Sequence, residues 1–148
     1  SWMDREWGTS ALEAGITGWD WFALQLDDGR DLMVYLLRRA DGSLENYSAG
    51  TLTYADGTTR ALSLADLQID VQERWASPRD AGAVYPAKWR VQIPSEQIDL
   101  TLTPQIADQE LPLTIRYWEG SVLIEGSSSG YGYVELTGYG DGSSPRAE

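Results

Sequence analysis

The feature that most restricts the fold is punctuation. Asp28-Gly29, Asp41-Gly42 and Asp56-Gly57 recur at short intervals, and Asp-Gly is a two-residue hairpin signal because such turns need positive φ. Between them lie strand-length runs: ITGWDWFALQL (16–26), DLMVYLLRR (31–39) and YSAGTLTYADGTTRAL (47–62), the last itself a hairpin. Alternation continues in QIDVQERWAS (68–77), with Ile69, Val71, Glu73 and Trp75 on one side, then in KWRVQIP and IDLTLTP. No run of helical length has the helical period. SLADL (63–67) reads as one serine-capped helical turn, and PRDAGAVYPA (78–87), with its two prolines, as a loop or irregular crossing. LTIRYWEGSVLIEG (113–126) reads as a hairpin turning at Glu119-Gly120, and GYGYVELTGY (130–139) as the last strand. Hairpin following hairpin predicts an all-β fold, an antiparallel up-and-down barrel of about 8–10 strands. Such a barrel has an interior able to hold a small ligand. The barrel domain is expected over 1–139, with GDGSSPRAE (140–148) as a flexible tail.

Composition narrows the chemistry. The net charge of −12, from 23 acids against 11 bases, repels phosphate backbones and anionic membrane surfaces, so no nucleic-acid partner is expected. No stretch reaches the length of a membrane helix. Without cysteine or histidine, disulfides, thiolate chemistry and the usual neutral-pH base are excluded, leaving carboxylates, tyrosines, Lys88 and the arginines. Lys88 lies in an alternating strand and is expected to face solvent. No calcium-loop spacing is present, so no metal and no cofactor are expected. Seven Trp and eight Tyr stand against one Phe; residues with an apolar body and a polar tip either fill strands or line a wall that meets both ligand and water.

Several residues then become candidates. In GWDWFALQL, Trp19, Trp21, Ala23 and Gln25 share one face, and Asp20, Phe22, Leu24 and Leu26 the other. Asp20 on that apolar face is either a carboxyl with a raised pKa, suited to proton donation, or a group that bonds a turn backbone or an arginine. Asp108 and Glu110 in ADQEL, and Tyr117, Trp118 and Glu119 in RYWEG, pair acids with aromatics. Such pairs hold calcium or act on sugars, although 23 acids also produce them by chance. GSSSGYGYVE lacks the lysine and following helix of a phosphate loop and reads as a hairpin end. In SWMDREWG (1–8), an extended chain puts Trp2, Asp4 and Glu6 on one face.

WMDREWG, GWDWFALQLDDGRDLMVYLLRRADG, YPAKWRVQIP, DQEL, YWEGSVLIEG and GYGYVELTGY, in this order from Trp2 to about Tyr139, resemble the C-terminal domain of the two-domain lipocalin-like hydrolase family related to carotenoid 1,2-hydratase, which also resembles certain bacterial and fungal Diels–Alderases. The resemblance implies two consecutive lipocalin-type barrels with a ligand pocket near their junction, this chain holding the second and the N-terminal domain lying upstream of Ser1. It implies Asp4 as a proton donor to an isolated double bond and Trp2 as the aromatic that stabilises the cation by about 0.5–2 kcal/mol; the same residues, with Arg5, also fit a domain junction. The expected function is binding, and in the full-length protein conversion, of a hydrophobic isoprenoid or polyketide-type molecule. Trp2, Glu6, Trp19, Trp21, Gln25, Tyr117 and Trp118 are the expected ligand contacts, the isolated chain is expected to be inactive, and the location to be periplasmic or at the cell envelope. Two other readings stay open: a non-catalytic lid for the N-terminal domain, and a carbohydrate-binding β module using exposed Trp19, Trp75, Trp89 or Trp118.

Overall fold

Alternation builds strands where it predicts them. A computed structural model of the chain describes residues 15–111 and 116–140. Its strands are β1 (Ile16–Leu26), β2 (Asp31–Arg39), β3 (Ala49–Thr53), β4 (Thr59–Ser63), β5 (Gln68–Ala76), β6 (Val84–Ile93), β7 (Ile98–Pro104), β8 (Glu110–Leu111), β9 (Tyr117–Gly126) and β10 (Gly130–Thr137). Nine of them form one antiparallel sheet in the order β4-β3-β2-β1-β10-β9-β7-β6-β5, and β8 adds to β9. The sheet curls around a single core, the lipocalin-like barrel architecture. Its first and last strands pair with each other, from Asp20 opposite Leu136 to Leu26 opposite Gly130.

Every other side chain points inward. Phe22, Leu24 and Leu26 from β1 meet Trp89, Val91 and Ile93 from β6, Leu100 and Leu102 from β7, and Trp118, Val122 and Ile124 from β9, all buried. Phe22 packs edge-on to Trp89 at 5.8 Å between ring centroids, and Trp89 lies 6.1 Å from Trp118. The interior is therefore filled by side chains. It is so apolar that Trp89 Nε1 is buried without an acceptor among the described residues.

The barrel has two unlike ends. The hairpin end carries the turns 27–30, 54–58, 94–97 and 126–129. At the opposite end, the mouth, β1, β6 and β9 begin and β2, β5, β7 and β10 finish.

An odd number of strands leaves a seam. Alternating directions along the nine-strand order make β4 and β5 run the same way, so no hairpin can join them. The chain instead returns through the 3-10 turn Leu64–Asp66, where Ser63 and Asp66 form a capping box. The far side of the seam is clasped by Glu96, on the turn between β6 and β7: its carboxylate pairs with Arg60 of β4 and accepts from Tyr54 Oη at 3.0 Å, while Arg30 donates to its backbone carbonyl at 3.2 Å. Because Arg60 is about a third exposed, Glu96→Ala is expected to cost about 1–2 kcal/mol. Urea denaturation checks it, and an unchanged midpoint would leave the seam held by apolar contacts alone.

Three expectations are corrected. Glu119-Gly120 is not a turn: both lie inside continuous β9, opposite Glu135 and Val134. Glycine marks a close approach there, because the Gln109 amide occupies the space where a Cβ would stand; its oxygen accepts from Ser121 N at 2.9 Å. The irregular crossing expected over 78–87 ends early, since Val84–Ala87 already belong to β6. Pro86 stands opposite Arg74 of β5, next to a register shift, in a stretch of β6 that has β5 but not yet β7 beside it, since β7 pairs only from Trp89 onward; bulges and singly paired stretches are where a strand tolerates proline. Finally, Glu73 does not share a face with Trp75: register shifts on both sides of it place it opposite Lys88, and the two pair at 3.2 Å.

Candidate functional site

Charge is buried at the mouth. Asp20, inward-facing near the start of β1, is 6% exposed. Arg38 Nε donates to its Oδ1 at 3.0 Å, and the Tyr139 hydroxyl lies 3.0 and 2.9 Å from its two oxygens. Burial pushes the Asp20 carboxyl above its ordinary value, against the opposing pull of Arg38, of the Tyr139 hydrogen bond and of the Arg74 charge. Tyr139 reaches this position because Gly138 adopts a φ of 78° directly after β10 and packs so closely on Thr17 that no side chain fits. The Arg38 guanidinium lies 3.8 Å from the centroid of the Tyr139 ring, a cation–π contact, and also donates to the Thr137 carbonyl. Burial and the Asp20 charge push the Tyr139 phenol far above its usual range, so it stays protonated and donates.

A second node stands beside the first. The Glu110 carboxylate is fully buried; it accepts from Ser77 Oγ at 2.6 Å and from Tyr85 Oη at 3.1 Å. Arg79 lies 3.4 Å and Arg116 3.9 Å away. Burial, then the Glu110 charge, raises the Tyr85 phenol. The Tyr139 and Tyr85 rings pack at 5.5 Å, and Trp75 stacks on Tyr85 at 6.1 Å. Two buried carboxylates, each capped by a tyrosine hydroxyl and an arginine, are thus joined through the tilted contact of the Tyr139 and Tyr85 rings. Such an arrangement gathers mutually satisfied carboxylates, tyrosine hydroxyls and arginines at the mouth of the barrel, beside the half-buried rings of Trp75 and Tyr139.

Of the two alternatives for Asp20, the structure shows the arginine partner together with a raised pKa. Trp19, Trp21 and Gln25 lie on the outer face of β1, away from the core; Trp19 Nε1 donates to Glu135 Oε1 at 2.7 Å and packs edge-on to Tyr117 at 6.0 Å. Trp118 is buried at 0% exposure, its Nε1 bonded to the Ala107 carbonyl at 2.8 Å. Trp89 is buried with it, so neither offers the open platform that sugar stacking needs, whereas Trp19 and Trp75 are half-buried. Asp108 pairs with Arg79 at 2.6 Å rather than with Glu110. Among the described residues no group of acids could hold a metal ion. Trp2, Asp4 and Glu6 lie outside the described residues.

Local patterning missed Arg38, Tyr85 and Tyr139. Arg38 was within reach: the hairpin register set by Asp28-Gly29 places it one step diagonally from Asp20.

The sequence model of the AttH-like family matches residues 1–139. The chain belongs to the AttH-like family. Two solved structures share the fold of this AttH-like chain. One, from Nitrosomonas europaea and assigned as an AttH, is 36% identical with a TM-score of 0.78, over 87% of this chain and 41% of the other. The second, kievitone hydratase from Nectria haematococca, is 23% identical with a TM-score of 0.70, over 89% of this chain and 42% of the other; at that identity it supports the fold alone. The AttH-like chain therefore spans about two fifths of the length of each. No curated protein matches it. No helix among its described residues is long and apolar enough to cross a membrane.

Proposed function

We propose that this AttH-like chain is the C-terminal lipocalin-like domain of a two-domain protein that binds a hydrophobic small molecule of isoprenoid or polyketide type, at the mouth of the barrel and against the preceding domain. The observation that carries this reading is the contrast between the two parts of the barrel. Among the described residues its interior is packed with buried apolar side chains, Phe22, Trp89, Trp118 and their neighbours, while its mouth holds the Asp20 and Glu110 nodes with tyrosine hydroxyls and half-buried aromatics around them. Apolar pockets with a few convergent polar groups are what small-molecule sites are made of, and a shared pocket needs a second wall. The AttH-like structure from Nitrosomonas europaea has more than half its chain beyond the part that matches. In the same reading Asp4 supplies the proton and Trp2 the ring that faces the cation.

Titration with a fluorescent isoprenoid tests the site. The two-domain protein is expected to bind it saturably and this chain alone is not. Saturable binding by this chain alone would move the pocket inside the barrel, and no binding by either would end the ligand reading.

A further inference from the structure

The seam leaves the sheet with two free edges. β4 and β5 end the strand order and no ladder joins them; among the described residues no hydrogen bond reaches the backbone of β5 on the side away from β6. The two edges are guarded unequally. β4 is five residues long, and its Arg60 is engaged by Asp66 and Glu96. β5 runs for nine residues without a proline or a lysine, all of them exposed except half-buried Ile69 and Trp75. Shortness, proline and lysine are what keep an edge strand from pairing with another chain.

β5 also carries two charges without a bonded partner. Arg74 is the one basic side chain among the described residues that makes neither an ion pair nor a hydrogen bond; Asp20 feels its charge but is bonded to Arg38. Asp70 stands opposite Arg90, which is already held by Asp99 through hydrogen bonds of 2.9 and 2.7 Å. These positions are symmetric. Gln72 lies midway between Asp70 and Arg74, and midway between Ile69 and Trp75. Two β5 strands paired antiparallel about a two-fold axis at Gln72 therefore set Asp70 of each copy against Arg74 of the other, and Ile69 against Trp75. Both pairs match in face: Ile69 and Trp75 stand opposite buried Val91 and Tyr85, while Asp70 stands opposite exposed Arg90 and Arg74 is one step from Trp75. Neighbouring registers fail. An axis at Glu73 sets two glutamates face to face, and an axis between Val71 and Gln72 sets Asp70 against Glu73; like charges directly opposite destabilise a ladder. The register shifts around Glu73 fall at the axis and leave a short ladder on each side of it.

We propose that β5 is an interface between two copies of this chain, joined edge to edge by antiparallel pairing centred on Gln72. The charge complementarity of the strand with itself selects a second copy as the occupant. Val71, 38% exposed, lies beside the axis, where the same contact covers it. Two nine-residue strands make a small contact, so the pairing is reversible and its ion pairs weaken with salt. The proposal is independent of the ligand reading above.

Sedimentation equilibrium of the full-length protein tests it. Wild type is expected to show a concentration-dependent equilibrium between one copy and two. Asp70→Arg and Arg74→Asp, each of which sets like charges opposite one another in both ion pairs, are expected to weaken association about tenfold, with near-ultraviolet dichroism unchanged. The two substitutions combined are expected to restore it, because the exchanged charges meet again. A wild type that stays a single copy at every concentration would overturn the proposal. So would single variants that associate as wild type does, or a combined variant no tighter than the singles, since another surface would then hold the copies together. A cysteine scan reads the same register without changing charge: under mild oxidation Gln72→Cys is expected to link two copies across the axis and Gln68→Cys, far from its own symmetry mate, is not. Equal linking of the two, or none by Gln72→Cys, would also overturn it.

Discussion

Arg38→Ala is expected to destabilise the barrel by about 3–5 kcal/mol. The pair it breaks is largely out of water, with Arg38 and Asp20 side chains 16% and 9% exposed. Removing the guanidinium leaves a carboxylate with the Tyr139 hydrogen bond and the more weakly felt Arg74 charge, and it strips the cation from the Tyr139 ring. The pH dependence identifies the cause. Asp20 already titrates above its ordinary value, and losing Arg38 raises it further, so the folded variant holds this proton more tightly than the unfolded chain does. Such a group costs nothing while protonated and costs most once it ionises. The deficit of Arg38→Ala relative to wild type should therefore be largest at neutral pH and shrink as the pH falls through the folded pKa of Asp20. Denaturant titrations at several pH values measure this. A deficit that does not vary with pH would assign the loss to packing instead.

Trp118→Ala is the second large effect, again about 3–5 kcal/mol, which for a chain of this size lowers the melting temperature by about 10 °C. Trp118 reads from its local sequence as a ligand contact, sitting between Tyr117 and Glu119. In the fold it is the inward member of that triplet, packed on Trp89 and bonded to the Ala107 carbonyl. Truncation empties a space that neighbouring strands cannot close, because Trp118 sits between paired strands on either side, opposite Leu136 and Glu110. Calorimetry decides: a variant as stable as wild type but deficient in isoprenoid binding would make Trp118 part of the site rather than of the core.

These two residues show how far the sequence can be read. Period-two alternation places Asp20 on the apolar face of β1, and the hairpin that follows brings Arg38 close, because both facts are local. Tyr139 is 119 residues away, and only the pairing of β1 with β10 brings it to Asp20. Alternation also does not say which face of a strand is inside when both carry aromatics, as with Trp19, Trp21 and Phe22. Glu110 reads as one of many acids in a polar loop; it becomes buried because two-residue β8 inserts it beside Trp118, an element too short to have a period. Gly120 carries a turn signal, but the close approach of Gln109 uses the same lack of a side chain for a different purpose.

The pairing of β1 with β10 reaches beyond the site. The middle of the sheet is built from the strands furthest apart in sequence, whereas the open seam lies between two that are consecutive. While the chain is being synthesised, β1–β4 and β5–β9 can each form as a meander, but neither can close over the core until β10 leaves the ribosome. Folding of such non-local pairings is slow because a long loop must be closed before any contact rewards it. A nascent chain would thus hold Phe22, Trp89 and Trp118 exposed together until the last strand arrives, which makes that strand the point at which an aggregation-prone intermediate becomes a protein.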